Sequence, residues 1–220
     1  MNRKVITTAD GSTTIHLEDW NEHYHSKHGA IQEAYHVFIK KGLEFLRRDS
    51  LAILEIGFGT GLNALITILE AEKKGLTVSY TGVEAYPVPK EELVKLNYTS
   101  QLGGAKTDKY FQSIHDAPWN QNVELCSFFK LHKAQLDFYD IREESSFHLI
   151  YFDAFGPRVQ PELWSVELFR KMHSALKPGG VLVTYSAKGS VRRVMQEVGF
   201  TVERLPGPPG KREMLRALKD

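Results

Sequence analysis

The sequence is short of several things, and each shortage removes a class of protein. It holds one cysteine, Cys126, in 220 residues. No intrachain disulfide can form, and no cysteine-based zinc site is available. No apolar run reaches membrane-spanning length, and residues 1–20 lack the apolar core of a signal peptide. A cytoplasmic protein without membrane contact is the expectation. Net charge is almost absent: 28 Lys and Arg against 27 Asp and Glu leave +1. That excludes a polyanion-binding tail but not a local basic face, because steering depends on how charge is distributed. Internal repeats and low-complexity segments are missing as well. The length suits one domain with a full core, with two small domains as the alternative.

What the chain does have is concentrated first in Leu51–Asn63, Leu-Ala-Ile-Leu-Glu-Ile-Gly-Phe-Gly-Thr-Gly-Leu-Asn. An apolar run ends in a glycine turn, and a helical pattern follows from Leu62 to Lys73. The strand end fixes the turn, the glycines let backbone approach a ligand, and the helix N-terminus offers unpaired N–H groups. The spacing Gly57-x-Gly59-x-Gly61 differs from the G-x-G-x-x-G of pyrophosphate-binding turns and suits a nucleoside or an amino acid better. Glu55, just before the turn, is placed to accept hydrogen bonds from an ammonium group. Together these suggest S-adenosylmethionine. A tight turn holding no ligand is the bland alternative.

Before this stretch, Val5–Thr8 and Thr13–Leu17 are β-prone around Asp10-Gly11, a hairpin signal. A helical pattern with Ala34, Val37, Phe38 and then Leu43, Phe45 and Leu46 on its apolar face comes next. Residues 1–48 therefore read as an N-terminal extension laid on a main domain of residues 49–220, being too short for a core of their own. In the main domain, strands are expected at 77–83, 129–136, 147–152 and 181–185, and helices at 90–97, 161–176 and 190–198. A short helix is expected near 110–115, within the poorly legible stretch 101–128. Lys177-Pro178-Gly179-Gly180 reads as a stop and turn. Two final strands, 200–205 and 213–218, joined by Pro206–Gly210, must pair directly. Strands alternating with helices imply an α/β fold with a mostly parallel sheet and a terminal antiparallel hairpin.

Ligands of such sheets collect at the carboxyl ends of the strands. Four strands finish there with an acid: Glu55, Glu84, Asp137 and Asp153. Glu84, 23 residues beyond Gly61, is placed to take both ribose hydroxyls of an adenosine, and NAD would satisfy the same geometry. Asp137 is a candidate acceptor for an adenine amino group, or a turn residue facing solvent. Asp153-Ala154-Phe155-Gly156-Pro157 is the most suggestive catalytic stretch. Its acid closes a wholly apolar strand, so its pKa should rise unless it is partnered. Beside a methyl donor and an acceptor amine, that carboxylate would position the amine and relay its proton. Phe155 would wall the pocket against water. His23, His25 and His28 have no fourth ligand near them, so no metal is expected, and a loop over the pocket is the better reading. Trp20 and Tyr24 are core aromatics by default and base-stacking surfaces if RNA enters. Lys188, Arg192, Arg193, Lys211, Arg212 and Arg216 cluster late in the chain. They are solvated faces or phosphate contacts around the site's mouth.

These residues together resemble a family, the stand-alone MnmD-type and bifunctional MnmC-type tRNA methyltransferases that act on the wobble uridine. The resemblance is carried by Glu22-His23-Tyr24-His25-Ser26 with Gly29-Ala30 and Glu33, by Leu54–Asn63, and by Asp153–Pro157 with Pro161-Glu162-Leu163-Trp164. Lys211-Arg212-Glu213-Met214-Leu215 carries it too, and Ala187-Lys188-Gly189 with Val191-Arg192-Arg193 adds to it. It implies a Rossmann-like class I methyltransferase fold and transfer of a methyl group from S-adenosylmethionine to an aminomethyl uridine of the tRNA anticodon stem-loop. The product would be methylaminomethyl uridine, often also thiolated. It implies cofactor positions at Glu55, Gly57, Phe58, Gly59, Gly61, Asn63, Glu84, Asp137 and Asp153, and a catalytic Asp153 with Phe155. Contacts to the RNA are then expected at His25, Lys188, Arg193, Lys211 and Arg212. The second, FAD-dependent oxidase activity of the bifunctional relatives is not expected here. A small-molecule amine methyl- or aminopropyltransferase is the alternative, and a catalytically silent binding module is a third.

Overall fold

The computed structural model describes residues 3–220. Met1 and Asn2, which the sequence reading assigns to the N-terminal extension, lie outside the described residues. The chain opens with a small antiparallel sheet, β1 (Arg3–Thr7), β2 (Thr13–Leu17) and β3 (Glu22–His23). Asp10 holds the β1–β2 turn, accepting from Thr8 Oγ1 (2.7 Å) and Ser12 N (3.0 Å). Helix α1 (Ala30–Ala34) runs on into a π turn, Tyr35–Lys40, and a short 3-10 turn, Leu43–Phe45. The apolar face expected there is correct for Ala34, Val37, Phe38 and Leu43, which are buried. Phe45 turns outward instead and lies under the Arg216 guanidinium, 3.7 Å from the ring centre.

The main sheet follows. Its first strand β4 (Ser50–Ile56) leads into α2 (Leu62–Lys74), then β5 (Thr77–Val83). Three short helices come next, α3 (Lys90–Leu93), α4 (Tyr98–Leu102) and α5 (Ala105–Asp116). Then come the hairpin β6 (Asn122–Cys126) and β7 (Phe129–Ala134), β8 (Phe147–Phe152), α6 (Val166–Ala175), β9 (Leu176–Thr184), α7 (Gly189–Glu197), β10 (Thr201–Pro206) and β11 (Glu213–Leu218). The strand order is β10-β11-β9-β8-β4-β5-β7-β6. The five central strands are parallel, and both edges are antiparallel hairpins. The C-terminal hairpin is the expected one; β6 was not foreseen.

Period-two alternation decides which face each side chain joins. On β8, Leu149 and Tyr151 join a core shared with Ile15, Phe38, Leu65 and Tyr80, while Ile150 and Phe152 join one shared with Phe169, Met172 and Val191. The N-terminal segment is thus built into the first core. The helix expected over 161–176 is two pieces. Pro161–Trp164 is a 3-10 turn, and Ser165 restarts the chain as the N-cap of α6, its Oγ accepting from Leu168 N at 3.2 Å. The stop expected at 177–180 is a bulge inside β9: Phe147 pairs with Leu176 and Leu149 with Val181, so the intervening residues loop out.

Chain order in the sheet reverses between β4 and β8. From β4 it steps outward to β5 and β7, then jumps back to β8 and β9. The crevice beyond the carboxyl ends of β4 and β8 is where such sheets bind ligands.

Candidate active site

At that crevice two strand ends are tied together. Asp153 N–H donates to the Ile56 carbonyl (2.9 Å), and Gly57 and Phe58 N–H both donate to the Val83 carbonyl (3.0 Å each). Gly57 has φ +87°, and a Cβ built on it would meet the Asp153 carbonyl oxygen at 2.8 Å. The turn therefore lies directly against the start of the Asp153 loop. Phe58 folds over Gly82, where a Cβ would come within 2.2 Å of its ring. Edge contacts with Trp119 (5.8 Å) and His115 (6.5 Å) hold that ring in place.

A cavity of about 560 Å³ opens above this turn, a size that suits a small ligand. Its wall includes Glu55, Gly57, Phe58, Gly59, Asn63, Glu84, Asp137, Asp153 and Phe155, so nine of the expected cofactor and catalytic positions converge there, with His25 beside them. Gly61 does not line it. It is the N-cap of α2, and its face is closed by the His115 ring, 3.2 Å from where a Cβ would sit. Glu84 accepts from Gly59 N–H and Tyr86 N–H (3.0 Å each), which bends the β5 end around the cavity. Burial raises its pKa, opposed by those backbone donors. Asp137 accepts from Tyr139 N–H at 2.9 Å, so it is a helix cap as well as part of the wall.

The floor is a buried cluster. Glu55 is fully buried, and its two oxygens accept from Asn63 Nδ2 (2.8 Å) and Tyr80 Oη (2.8 Å). The same Asn63 nitrogen donates to Asp153 Oδ2 at 2.9 Å. Burial, first of all, lifts the Glu55 pKa well above the ordinary range, and the nearby Asp153 adds to it. Asp153 is lifted well up too, by burial and then by Glu33, while Asn63 and Lys211 act the other way. Raised carboxyl pKa values mean the folded chain binds protons more tightly than the unfolded chain. Their stabilising effect is full below about pH 4 and is lost as pH rises through the folded values. Glu55→Gln removes the charge and keeps one acceptor oxygen for Asn63 Nδ2, while its amide nitrogen donates to Tyr80 Oη in place of accepting from it. Its melting temperature should exceed that of the unsubstituted protein by a margin that widens between pH 5 and pH 9. A margin constant with pH would show that Glu55 does not carry the titration.

A second cavity of about 330 Å³ lies beside the first and shares Tyr24, His25, Asp153, Ala154 and Phe155 with it. Its wall is polar, adding Glu22, Glu33, Tyr185 and Lys211. Lys211 is ion-paired with Glu33 and stands 3.9 Å over the Tyr185 ring. The loop between the cavities is pinned: Tyr185 Oη donates to the Ala154 carbonyl (2.8 Å) and Trp164 Nε1 to the Phe155 carbonyl (2.8 Å). Trp20 and Tyr24 pack edge-on against Phe155 at 5.7 and 5.1 Å. His25 lies near Thr14 Oγ1 (3.4 Å) and Tyr98 Oη (3.5 Å), and burial depresses its pKa to about 4. It is therefore a neutral imidazole near pH 7. Farther out, Lys188, Lys211 and Arg212 line one open recess with Tyr185 and Glu213. Arg193 is exposed on α7 outside all three hollows, its guanidinium close to Gly189. Among the described residues no group of three His, Cys, Asp or Glu is arranged to hold a metal. No helix among them is long and apolar enough to cross a membrane.

Sequence reasoning missed part of both walls. Arg3, Tyr86, Tyr139, Gln160 and Glu162 line the first cavity, and Glu33 and Tyr185 line the second. Arg3 and Glu33 come from the N-terminal segment, and only the folded chain brings them to the sheet. The signal available was Glu33 standing beside the His25 stretch among the residues that carry the resemblance, which gave it no position in space.

The wall fits an S-adenosylmethionine donor on its own chemistry. Asn63 is 3% exposed, and its Oδ1 has no donor among the described residues, so it can take an N–H from a ligand ammonium. Glu84 keeps lone pairs free for a ribose diol.

Comparison with known proteins agrees. The tRNA 5-methylaminomethyl-2-thiouridine biosynthesis bifunctional protein MnmC of Hydrogenovibrio crunogenus is 30% identical over 210 residues, 87% of this chain and 30% of that protein. Its namesake from Leptospira interrogans is 30% identical over 225 residues, 96% of this chain and 34% of that protein. The chain thus spans about a third of the length of these curated relatives. The crystal structure of MNMC2 from Aquifex aeolicus superposes with a TM-score of 0.81 at 23% identity, covering 98% of this chain and 69% of that one. Spermidine synthase from Thermotoga maritima gives a TM-score of 0.57 at 13% identity, over 100% of this chain and 72% of that one. Both show the class I methyltransferase fold. The family described as S-adenosyl-L-methionine-dependent methyltransferase matches residues 106–220, and it is to this family that the chain belongs.

Proposed function

We propose that the protein methylates the primary amine of an aminomethyl or aminomethyl-2-thio uridine at the wobble position of tRNA, in the cytoplasm. The observation that carries this reading is the placing of Asp153 on the wall common to the two cavities, one suited to an adenosyl donor and one polar and sharing Tyr185 and Lys211 with a cationic recess. The names of the MnmC relatives support the substrate class.

Bound in the larger cavity, S-adenosyl-L-methionine supplies a methyl group on a cationic sulfonium. Glu55 and the Asn63 carbonyl oxygen would hold its ammonium, Glu84 its ribose and Asp137 its adenine. In the smaller cavity, Asp153 accepts an N–H of the acceptor amine and aims the nitrogen lone pair at the methyl carbon. Transfer would form the N–C bond and break the C–S bond, leaving the bonding pair on sulfur. The surplus amine proton leaves through Asp153 to water. A carboxylate is a weak base, but burial raises its affinity for a proton, and alignment supplies most of the rate. Phe155, boxed in by Trp20 and Tyr24, excludes water from the transfer line. Lys188, Lys211 and Arg212 would take the phosphates flanking the splayed nucleotide, with Arg193, near Gly189 on α7, as a further candidate contact. Local charge of this kind reconciles RNA binding with a net charge of +1.

The test supplies purified protein, S-adenosyl-L-methionine and tRNA bearing aminomethyl uridine, and reads the nucleosides by mass spectrometry. A gain of one methyl at that nucleoside is expected, with none on tRNA lacking the aminomethyl group. Transfer to free amines with none to the tRNA would overturn the reading in favour of a small-molecule enzyme.

A further inference from the structure

Asn63 sits where the two cavities could influence each other. Its carboxamide is buried between two carboxylates, Glu55 and Asp153, and donates to both from one nitrogen. Those flanking acids settle which end of the amide is which: reversing it would set a carbonyl oxygen against two carboxylate oxygens. The same orientation leaves Oδ1 buried and without a donor among the described residues. An orphaned acceptor of that kind is costly and is kept where a bound molecule can satisfy it. Among the described residues, Asn63 Nδ2 is the one hydrogen-bond donor seen at the Asp153 carboxylate.

The surroundings of Asp153 make that bond consequential. Glu33, paired to Lys211, faces it from α1, and Lys211 faces it from the loop before β11. The Tyr185 ring lies beside Lys211. Behind Asn63, Glu55 is held by Tyr80, with Glu84 near. Carboxylates thus stand on both sides of the one amide nitrogen.

We propose that Asn63 is a positioning residue that couples the two cavities: by taking the donor's ammonium on Oδ1 while its nitrogen grips Asp153, it makes occupancy of the donor cavity orient the carboxylate that meets the acceptor. Loading the donor first then prepares the acceptor side, and by reciprocity Asp153 is felt in donor affinity. This rests on the proposed role of Asp153 but is testable without any acceptor.

The experiment is a double-mutant cycle on the full chain, reading the dissociation constant of S-adenosylhomocysteine by calorimetry for the unsubstituted protein, Asn63→Ala, Asp153→Ala and the double variant. That ligand carries the same ammonium. The product of the two single weakenings should exceed the weakening in the double variant threefold or more, because Asn63→Ala already disconnects Asp153. The pH midpoint for gaining affinity should also move upward in Asn63→Ala, since both carboxylates lose a donor that favours their charged forms. A discrepancy below threefold, or an unmoved midpoint, overturns the coupling and leaves Asn63 a structural residue. If Asn63→Ala does not fold, judged by its melting curve, Asn63→Ser takes its place in the same cycle. A coupled cycle in a protein that does not methylate the tRNA would defeat the substrate reading alone. An uncoupled cycle in an active enzyme would defeat this inference alone.

Discussion

Asp153→Ala is expected to lower kcat by ~10²–10⁴-fold, the range typical of losing a positioned acid–base group, while S-adenosylhomocysteine affinity changes by less than ~tenfold, or about 1.4 kcal/mol. The split follows from where the side chain stands. Glu55, Glu84 and the glycine turn border the donor cavity without help from Asp153, whereas on the acceptor side Asp153 alone is held by the amide that floors the donor cavity. Folding should survive the change. A buried carboxylate with a raised pKa destabilises the fold increasingly as pH rises, so the variant should gain in relative melting temperature from pH 5 to pH 9. Asp153→Asn sharpens the result. It keeps the shape and an oxygen for Asn63, but it has no charge and accepts no proton. If kcat falls as far as in the alanine variant, the charge is what matters; if Asp153→Asn retains most of the rate, hydrogen bonding alone orients the amine. Activity of Asp153→Ala within tenfold of the starting enzyme would remove Asp153 from the reaction.

Much of the site was legible because its signals are local. An apolar run must end where the sheet ends, so an acid at position 55, 84 or 153 marks the carboxyl edge whatever the rest of the chain does. Four runs with helices between them then fix a parallel sheet, and a proline–glycine loop between the last two forces direct pairing. Legibility failed where the period is mixed. On α5 only Thr107 and Ile114 are buried, so its pattern is too sparse to announce a full helix, and it points to the second half alone, near 110–115. Strand β6 is a half-exposed edge interrupted by a bulge between Glu124 and Cys126, which breaks the alternation that identifies strands. The split before α6 was marked by Ser165, a residue that caps a helix as readily as it sits inside one. The remaining misses are long-range: no local pattern tells that Arg3 and Glu33 reach cavities whose other walls are built by residues 55–163, 185 and 211.

Gly57→Ala tests how closely the donor turn and the catalytic loop are joined, and its effect should be large. Two costs add. An L side chain at φ +87° is strained by about 1–2 kcal/mol. The new Cβ would also stand 2.8 Å from the Asp153 carbonyl oxygen and 3.2 Å from its carbon, both backbone atoms. Neither side can yield cheaply. Asp153 N–H is bound to Ile56, and the next two carbonyls are held by Tyr185 and Trp164. On the other side, Gly57 and Phe58 share the Val83 carbonyl, and Phe58 is wedged over Gly82. Relief must come from spreading the ends of β4 and β8, which widens the donor cavity and withdraws Asp153 together. S-adenosylhomocysteine affinity should fall at least ~100-fold and the stability of the free protein by about 3 kcal/mol. Gly75→Ala is the control. Gly75 has φ +67° at the end of α2, and nothing lies within 4 Å of its would-be Cβ, so it carries the strain without the collision. It should cost about 1 kcal/mol and leave affinity and turnover unchanged. If Gly57→Ala behaves like Gly75→Ala, the two strand ends are not in rigid contact, and the junction of the cavities at Asp153 is softer than its hydrogen bonds indicate.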